Sequence, residues 1–169
     1  MRLLATAALA IIGLVATAEA QEWRTEPLGG PAGWAMLSLG DIFAEPETAA
    51  VRIRYEKIPL GFMYGCDRGQ SLSVWWRPSR PLQAAAGSNV PVTLSINGTR
   101  VDGSVMQLNN EGVLVLVGAT GAAGRIVKGI DAARKGVLVI SGGGVSDSVP
   151  FDETLNGGVA EYALAACAN

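Results

Sequence analysis

Apolar and polar residues alternate with a period of two through much of the chain, most plainly at Val51-Arg52-Ile53-Arg54-Tyr55. That is the pattern of a strand with one buried and one solvated face, here with arginines on the wet side. Trp34 to Leu39 reads as a shorter strand ahead of it, after a Pro- and Gly-rich lead-in over residues 21 to 33 and before an acidic turn from Asp41 to Glu47. Leu60 to Tyr64 and Ser71 to Trp76 flank Cys66-Asp67-Arg68-Gly69 and predict a hairpin with the cysteine near its tip. Within the second of these strands Leu72, Val74 and Trp76 share one face, and Ser71, Ser73, Trp75 and Arg77 share the other. Trp76 is therefore expected in the core and Trp75 outside it.

Arg77-Pro78-Ser79-Arg80-Pro81 cannot continue a central strand and starts a loop running to about Asn89. Val90 to Ile96, Thr99 to Val101 and Ser104 to Leu108 then read as a meander. Its punctuation is Asn97-Gly98 and Asp102-Gly103, both suited to tight primed turns. Asn97-Gly98-Thr99 also spells a glycosylation acceptor, and the turn is the preferred explanation. Val113 to Val117 is an apolar run of strand length. The period lengthens over Arg125 to Lys135, where Ile126, Val127, Ile130 and Ala133 form one helical stripe and Gly136 stands at the stop. Val137 to Ser141 is another strand, and a glycine turn at 142 to 144 leads into Val149 to Leu155. Gly158 to Cys167 returns to helical spacing with Val159, Tyr162, Ala163 and Ala166.

These elements predict a mainly β protein, an antiparallel β-sandwich with one internal amphipathic helix near 122 to 135 and a short helix near 158 to 167. Residues 21 to 47 form an irregular arm and first strand, and 48 to 169 the sandwich domain. The first twenty residues stand apart. Arg2, the apolar run Leu3 to Ala18, and the small-x-small Ala18-Glu19-Ala20 before Gln21 have the form of a cleavable signal peptide. The run falls short of the about 20 apolar residues that cross a bilayer, and no cysteine follows it for a lipid anchor. A periplasmic or secreted protein without a transmembrane anchor is expected. The mean hydropathy of +0.30 is inflated by this leader.

Two cysteines remain, Cys66 and Cys167, 101 positions apart. In an oxidising compartment an even pair of this kind predicts an intramolecular disulfide. Reactive thiols or metal ligands are the competing reading, but neither cysteine has a CxxC partner and the chain contains no histidine. That absence also removes the Ser-His-Asp and Cys-His dyads and most zinc and haem ligand sets. No catalytic residue, metal or cofactor is assigned.

Charge adds one positive feature. The chain carries 13 basic and 15 acidic residues, net −2, which disfavours nucleic acid as a partner. Between residues 48 and 100, however, seven basic residues face only Glu56 and Asp67. If the strands at Val51 to Tyr55 and Ser71 to Arg77 share a sheet, Arg52, Arg54, Arg77 and the ring of Trp75 share its solvent face, with Arg80 close by. A cationic aromatic patch of this kind suits an anionic glycan, a lipid headgroup or an acidic protein surface. The plainer alternative is a solvated strand face with Trp75 tucked under a loop.

Two other motifs are weaker. Gly118-Ala119-Thr120-Gly121-Ala122-Ala123-Gly124 has the local form of a dinucleotide-binding turn. It begins too near the chain end to complete a doubly wound sheet, and the following strand lacks an acid for a ribose. Asp152-Glu153 would point to opposite sides of a strand, a poor arrangement for two acids flanking one glycosidic bond.

The C-terminal third supports a comparison. Ile126 to Gly142, then Ser148-Val149-Pro150-Phe151, then Leu155-Asn156-Gly157 and an alanine-rich helix, resembles small exported bacterial proteins of the invasion-associated locus B type. Gly65-Cys66-Asp67 ahead of Leu72-Ser73-Val74-Trp75, with Cys167 at the chain end, resembles the type VI secretion-associated VasI-like family. The similarity covers roughly residues 60 to 169, and the extra cysteine pair of many locus B relatives is missing. What it implies is an extracytoplasmic β-sandwich that binds an envelope or host component, with no catalytic residues to carry over. The expected function is thus an exported, non-catalytic binding module, linked through that resemblance to invasion or secretion. A hydrolase acting on an envelope polymer through paired carboxylates is the alternative.

Overall fold

A computed structural model describes residues 23–39, 50–67, 70–116 and 120–167. The leader, the acidic turn at 41–47, the Arg68-Gly69 tip, Gly118-Ala119 and the last residue of the Val113 to Val117 run lie outside the described residues.

Among the described residues ten strands and two helices follow one another as β1 (Arg24–Pro27), β2 (Trp34–Leu39), β3 (Ala50–Lys57), β4 (Leu60–Cys66), β5 (Ser73–Arg77), β6 (Asn89–Ile96), β7 (Thr99–Leu108), β8 (Leu114–Val115), α1 (Thr120–Ala133), β9 (Lys135–Gly142), β10 (Val145–Asp152) and α2 (Val159–Ala166). All ten strands belong to one antiparallel sheet in the order β1-β2-β3-β4-β5-β8-β7-β6-β9-β10. The mainly β, antiparallel architecture with two helices is as the periodicity indicates. By hydrogen bonding, though, it is one continuous sheet rather than two. That sheet bends so that its distant strands meet across the core: the Trp34 indole on β2 donates to the Pro150 carbonyl on β10 at 2.6 Å.

Alternation decides which side faces in. Val51, Ile53 and Tyr55 of β3, Phe62 and Tyr64 of β4, Val74 and Trp76 of β5, and Leu138 and Ile140 of β9 are all buried in one apolar cluster. Helix α1 lays Ile126, Val127 and Ile130 on this surface against β5, β6, β7 and β9, while α2 lays Val159, Ala160 and Ala163 against β3 and β4. The two helices also touch each other. Cys167 follows α2 and bonds Cys66 at the end of β4, with Cα atoms 5.7 Å apart, so the expected disulfide joins the last helix to the β4 edge of the core.

Four expectations shift. The lead-in over 21 to 33 is not wholly irregular, because Arg24–Pro27 pairs with Ala35–Ser38 as an edge strand, where Pro27 needs no ladder donor. Asp102-Gly103 is not a turn: β7 runs through it, with a register shift opposite Leu94/Ser95. The reason is tertiary, since the buried Asp102 carboxylate accepts from Ser104 and, at 2.9 Å, from Arg125 of α1. The last strand begins at Val145, not Val149, because Gly143 and Gly144 alone make the turn and pair Gly142 with Val145. Helix α1 ends at Ala133 rather than near 135, because Arg134 adopts φ 61° and Lys135 already belongs to β9. Asn97-Gly98 does turn the chain as expected, and the Asn97 side chain accepts from the Val137 amide and donates to the Lys135 carbonyl.

Candidate binding groove

The register of β2 through β5 places the outward side chains in rows. Arg54, Met63 and Trp75 form one row, Glu56, Gly61 and Arg77 a second, and Leu37, Arg52 and Gly65 a third. The outward positions of β4 are thus Gly61, Met63 and Gly65, and only one of them carries a side chain. With strands about 4.8 Å apart, β3 and β5 stand as walls about 10 Å apart over this low middle strand. The result is an open groove of about 220 Å³ lined by Arg52, Arg54, Glu56, Met63, Trp75 and Arg77.

The two glycines are there for different reasons. A Cβ at Gly65 would lie 2.1 Å from the Val51 carbonyl oxygen, and φ is 151°, so the backbone itself demands glycine. A Cβ at Gly61 would meet the Arg77 side chain at 3.4 Å, an ordinary contact. Leaving it out lets Arg77 lie across β4, where Nε donates to the Pro59 carbonyl at 3.1 Å and Nη2 pairs with Glu56 on the far wall.

Each arginine has a distinct setting. Arg52 forms a forked pair with Asp67, Nε to Oδ1 at 2.8 Å and Nη2 to Oδ2 at 2.5 Å. Its guanidinium also lies 4.7 Å from the Trp23 ring centroid and 5.7 Å from that of Trp75, so it fixes two indoles around itself. Arg54 approaches Glu56 only at 3.4 Å and its side chain is 41% exposed, leaving most of its donors to solvent. Both acids of the 48 to 100 segment are at the groove. Three guanidinia against two carboxylates leave it far less cationic than the sequence count implies.

Of the residues singled out from sequence, Arg52, Arg54, Trp75 and Arg77 come together. Trp75 is half-buried and faces outward, whereas Trp76 is fully buried. Arg80 does not line the groove. Pro78 ends β5, and Ser79 is tied through its amide (2.9 Å) and hydroxyl to Asp147 on β10, which draws the chain away. Arg80 then sits exposed beside Pro81 and the Gly143-Gly144 turn, in a separate hollow. Sequence reasoning left Glu56, Met63, Asp67 and Trp23 out of the site. Alternation within β3 and β4 signals the first two, since Glu56 shares the outward face with Arg52 and Arg54; nothing in the pattern signals Trp23.

The adjacent acids Asp152 and Glu153 diverge. Asp152 accepts from the Thr154 hydroxyl and amide at the surface, and the Thr154 hydroxyl helps hold its carboxyl below the usual range. Glu153 is fully buried, accepts from the Ala160 amide at 2.9 Å, and has its pKa pushed up by burial. Gly121 and Gly124 of the glycine motif lie inside α1. Among the described residues no helix is long and apolar enough to cross a membrane, and no three Cys, Asp or Glu side chains converge as metal ligands. Compared with protein-family profiles, with curated proteins and with solved structures, the chain matches none.

Proposed function

We propose that the protein is an exported, non-catalytic binding module that engages an anionic component of the bacterial envelope or a host surface through the groove over β4. The observation that carries this reading is the convergence of Arg52, Arg54, Trp75 and Arg77, from two separate strands, on one trough over β4, where Gly61 leaves room for Arg77 to lie low across the floor. A half-exposed guanidinium at Arg54 beside an outward indole supplies charge and a flat apolar surface together. The divergence of Asp152 and Glu153 gives no support to the hydrolase alternative at that pair. The buried disulfide suits an oxidising compartment, and the resemblance to invasion-associated locus B and VasI-like proteins supplies the biological setting.

The test is retention of purified mature protein by sedimented envelope fractions. Gly61→Val fills the floor with a strand-favouring residue, and Arg54→Glu reverses the freest charge. Both are expected to reduce retention at least fivefold while circular dichroism and the disulfide remain unchanged. Retention equal to that of the unaltered protein would refute the groove as the binding face.

A further inference from the structure

We infer that the groove takes a pyranose ring bearing one carboxylate, a hexuronate unit of an acidic glycan; this rests on the binding reading above and names its ligand. Three observations select that chemistry. First, the balance of charge is small. The charge of Arg52 is offset by its forked pair with Asp67 and that of Arg77 by its close pair with Glu56, so among the described residues of the groove Arg54, only 3.4 Å from Glu56, offers the least compensated guanidinium, while Arg77 keeps Nη donors for neutral partners. A site with one available cation suits one anionic group per unit, not the dense charge of a polyphosphate or an anionic bilayer. Second, the volume of about 220 Å³ lies below the roughly 300–1,000 Å³ of sites that enclose drug-sized ligands, so one ring with its substituents fills it. Third, the lining alternates in character. Trp75, Met63 and Leu37 give flat apolar surface for the C–H face of a ring, while Glu56 accepts and Arg54 and Arg77 donate within the same trough.

Hydroxyls need both donors and acceptors, and a groove built only for anions has no use for the Glu56 carboxylate. Here Glu56 lies between the Arg54 and Arg77 guanidinia and presents an acceptor flanked by donors. A ring with vicinal hydroxyls and a carboxylate matches that order: carboxylate on Arg54, hydroxyls on Glu56 and Arg77, apolar face on Trp75. Arg52, stacked between Trp23 and Trp75, acts as a positioning residue for the indoles.

The experiment uses the mature protein with its disulfide intact. Indole N–H resonances of 15N-labelled protein are followed while trigalacturonate, the neutral galactose trisaccharide, polyglutamate and phosphatidylglycerol vesicles are titrated separately. Trigalacturonate is expected to shift the Trp75 signal, with the neutral trisaccharide binding at least tenfold more weakly. Arg54→Gln should lose that tenfold for trigalacturonate and nothing for the neutral sugar, while Trp75→Ala should lose both. Equal binding of the neutral sugar, stronger binding of polyglutamate or vesicles, or no binding of trigalacturonate would each overturn the inference. If envelope retention still falls on Gly61→Val in those cases, the groove stands as the binding face and only the saccharide assignment is lost. If retention is also unaffected, both readings fall.

Discussion

The indole Nε1 of Trp76 on β5 donates to Oδ2 of Asp147 on β10 at 2.9 Å, and both residues are buried. Four strands separate β5 from β10 along the sheet, so this bond spans the core between strands that share no ladder. Asp147 also accepts from the Ser79 amide and hydroxyl, which anchors the loop leaving β5 to the same carboxylate. One buried acid thus holds the sheet bent and aims the chain away from the groove.

Replacing that acid should be among the more damaging single changes. Asp147→Ala leaves the Trp76 N–H without a partner in the core and frees Ser79, for an expected loss of about 2–3 kcal/mol. Asp147→Asn keeps an acceptor and should lose less. Urea denaturation of the two variants checks the order.

The crosslink between Cys66 and Cys167 closes a loop with a sequence separation of 101. On the chain-entropy account its removal destabilises by about 4–5 kcal/mol. The double variant Cys66→Ala/Cys167→Ala is expected to show this loss in chemical denaturation. The unaltered protein measured in strong reductant should match it, because the contribution resides in the crosslink.

Stability should fall toward high pH through Glu153 and toward low pH through Asp102. Burial raises the folded pKa of Glu153, with the Ala160 amide opposing and nearby Asp131 adding to the rise. Stability is therefore full below the ordinary glutamate value and declines as pH climbs from there through the raised one. Burial also pushes Asp102 up, but hydrogen bonds from Ser104 and Arg125 and the Arg125 charge outweigh it, and the net shift is downward. Its contribution is present above the ordinary aspartate value and is lost as pH falls through the lowered one. Thermal unfolding between pH 3 and 8, a range of about five units around the reference carboxylates, should show Glu153→Gln flattening the upper limb and Asp102→Asn the lower.

Glu56 restrains two guanidinia at once, with Arg54 on its own strand and Arg77 across β4. Glu56→Gln should release both and leave the groove more cationic, while exposed ion pairs of this kind contribute at most about 1 kcal/mol to stability. A purely anionic partner would bind more tightly, with steeper salt dependence. A ligand whose hydroxyls use the carboxylate would bind more weakly. Affinity for trigalacturonate at two salt concentrations distinguishes the outcomes, and weaker binding is expected.

Much of this was legible locally. The period-two pattern of β3 and β5 gives their inward and outward faces, and it puts Arg52, Arg54, Trp75 and Arg77 on the outward side where the register places them. Asp102-Gly103 misled because a dipeptide suited to a turn continues as a strand when Arg125, from a helix 23 positions on, satisfies the aspartate. Arg80 misled for a similar reason: its proximity in sequence to Arg77 says nothing about Ser79 being tied to Asp147.

From the order of residues alone came the strand faces, the two helices, the pairing of the only two cysteines and the identity of the groove's four main side chains, because each depends on alternation, spacing or composition within a short window. Tertiary structure decided the strand order, the bend that brings β10 across to β2 and β5, and the neutralisation of Arg52 and Arg77 by Asp67 and Glu56. Those depend on which segments meet in space, and the free energy of that meeting is set by the burial of all the inward faces together rather than by any one stretch of chain.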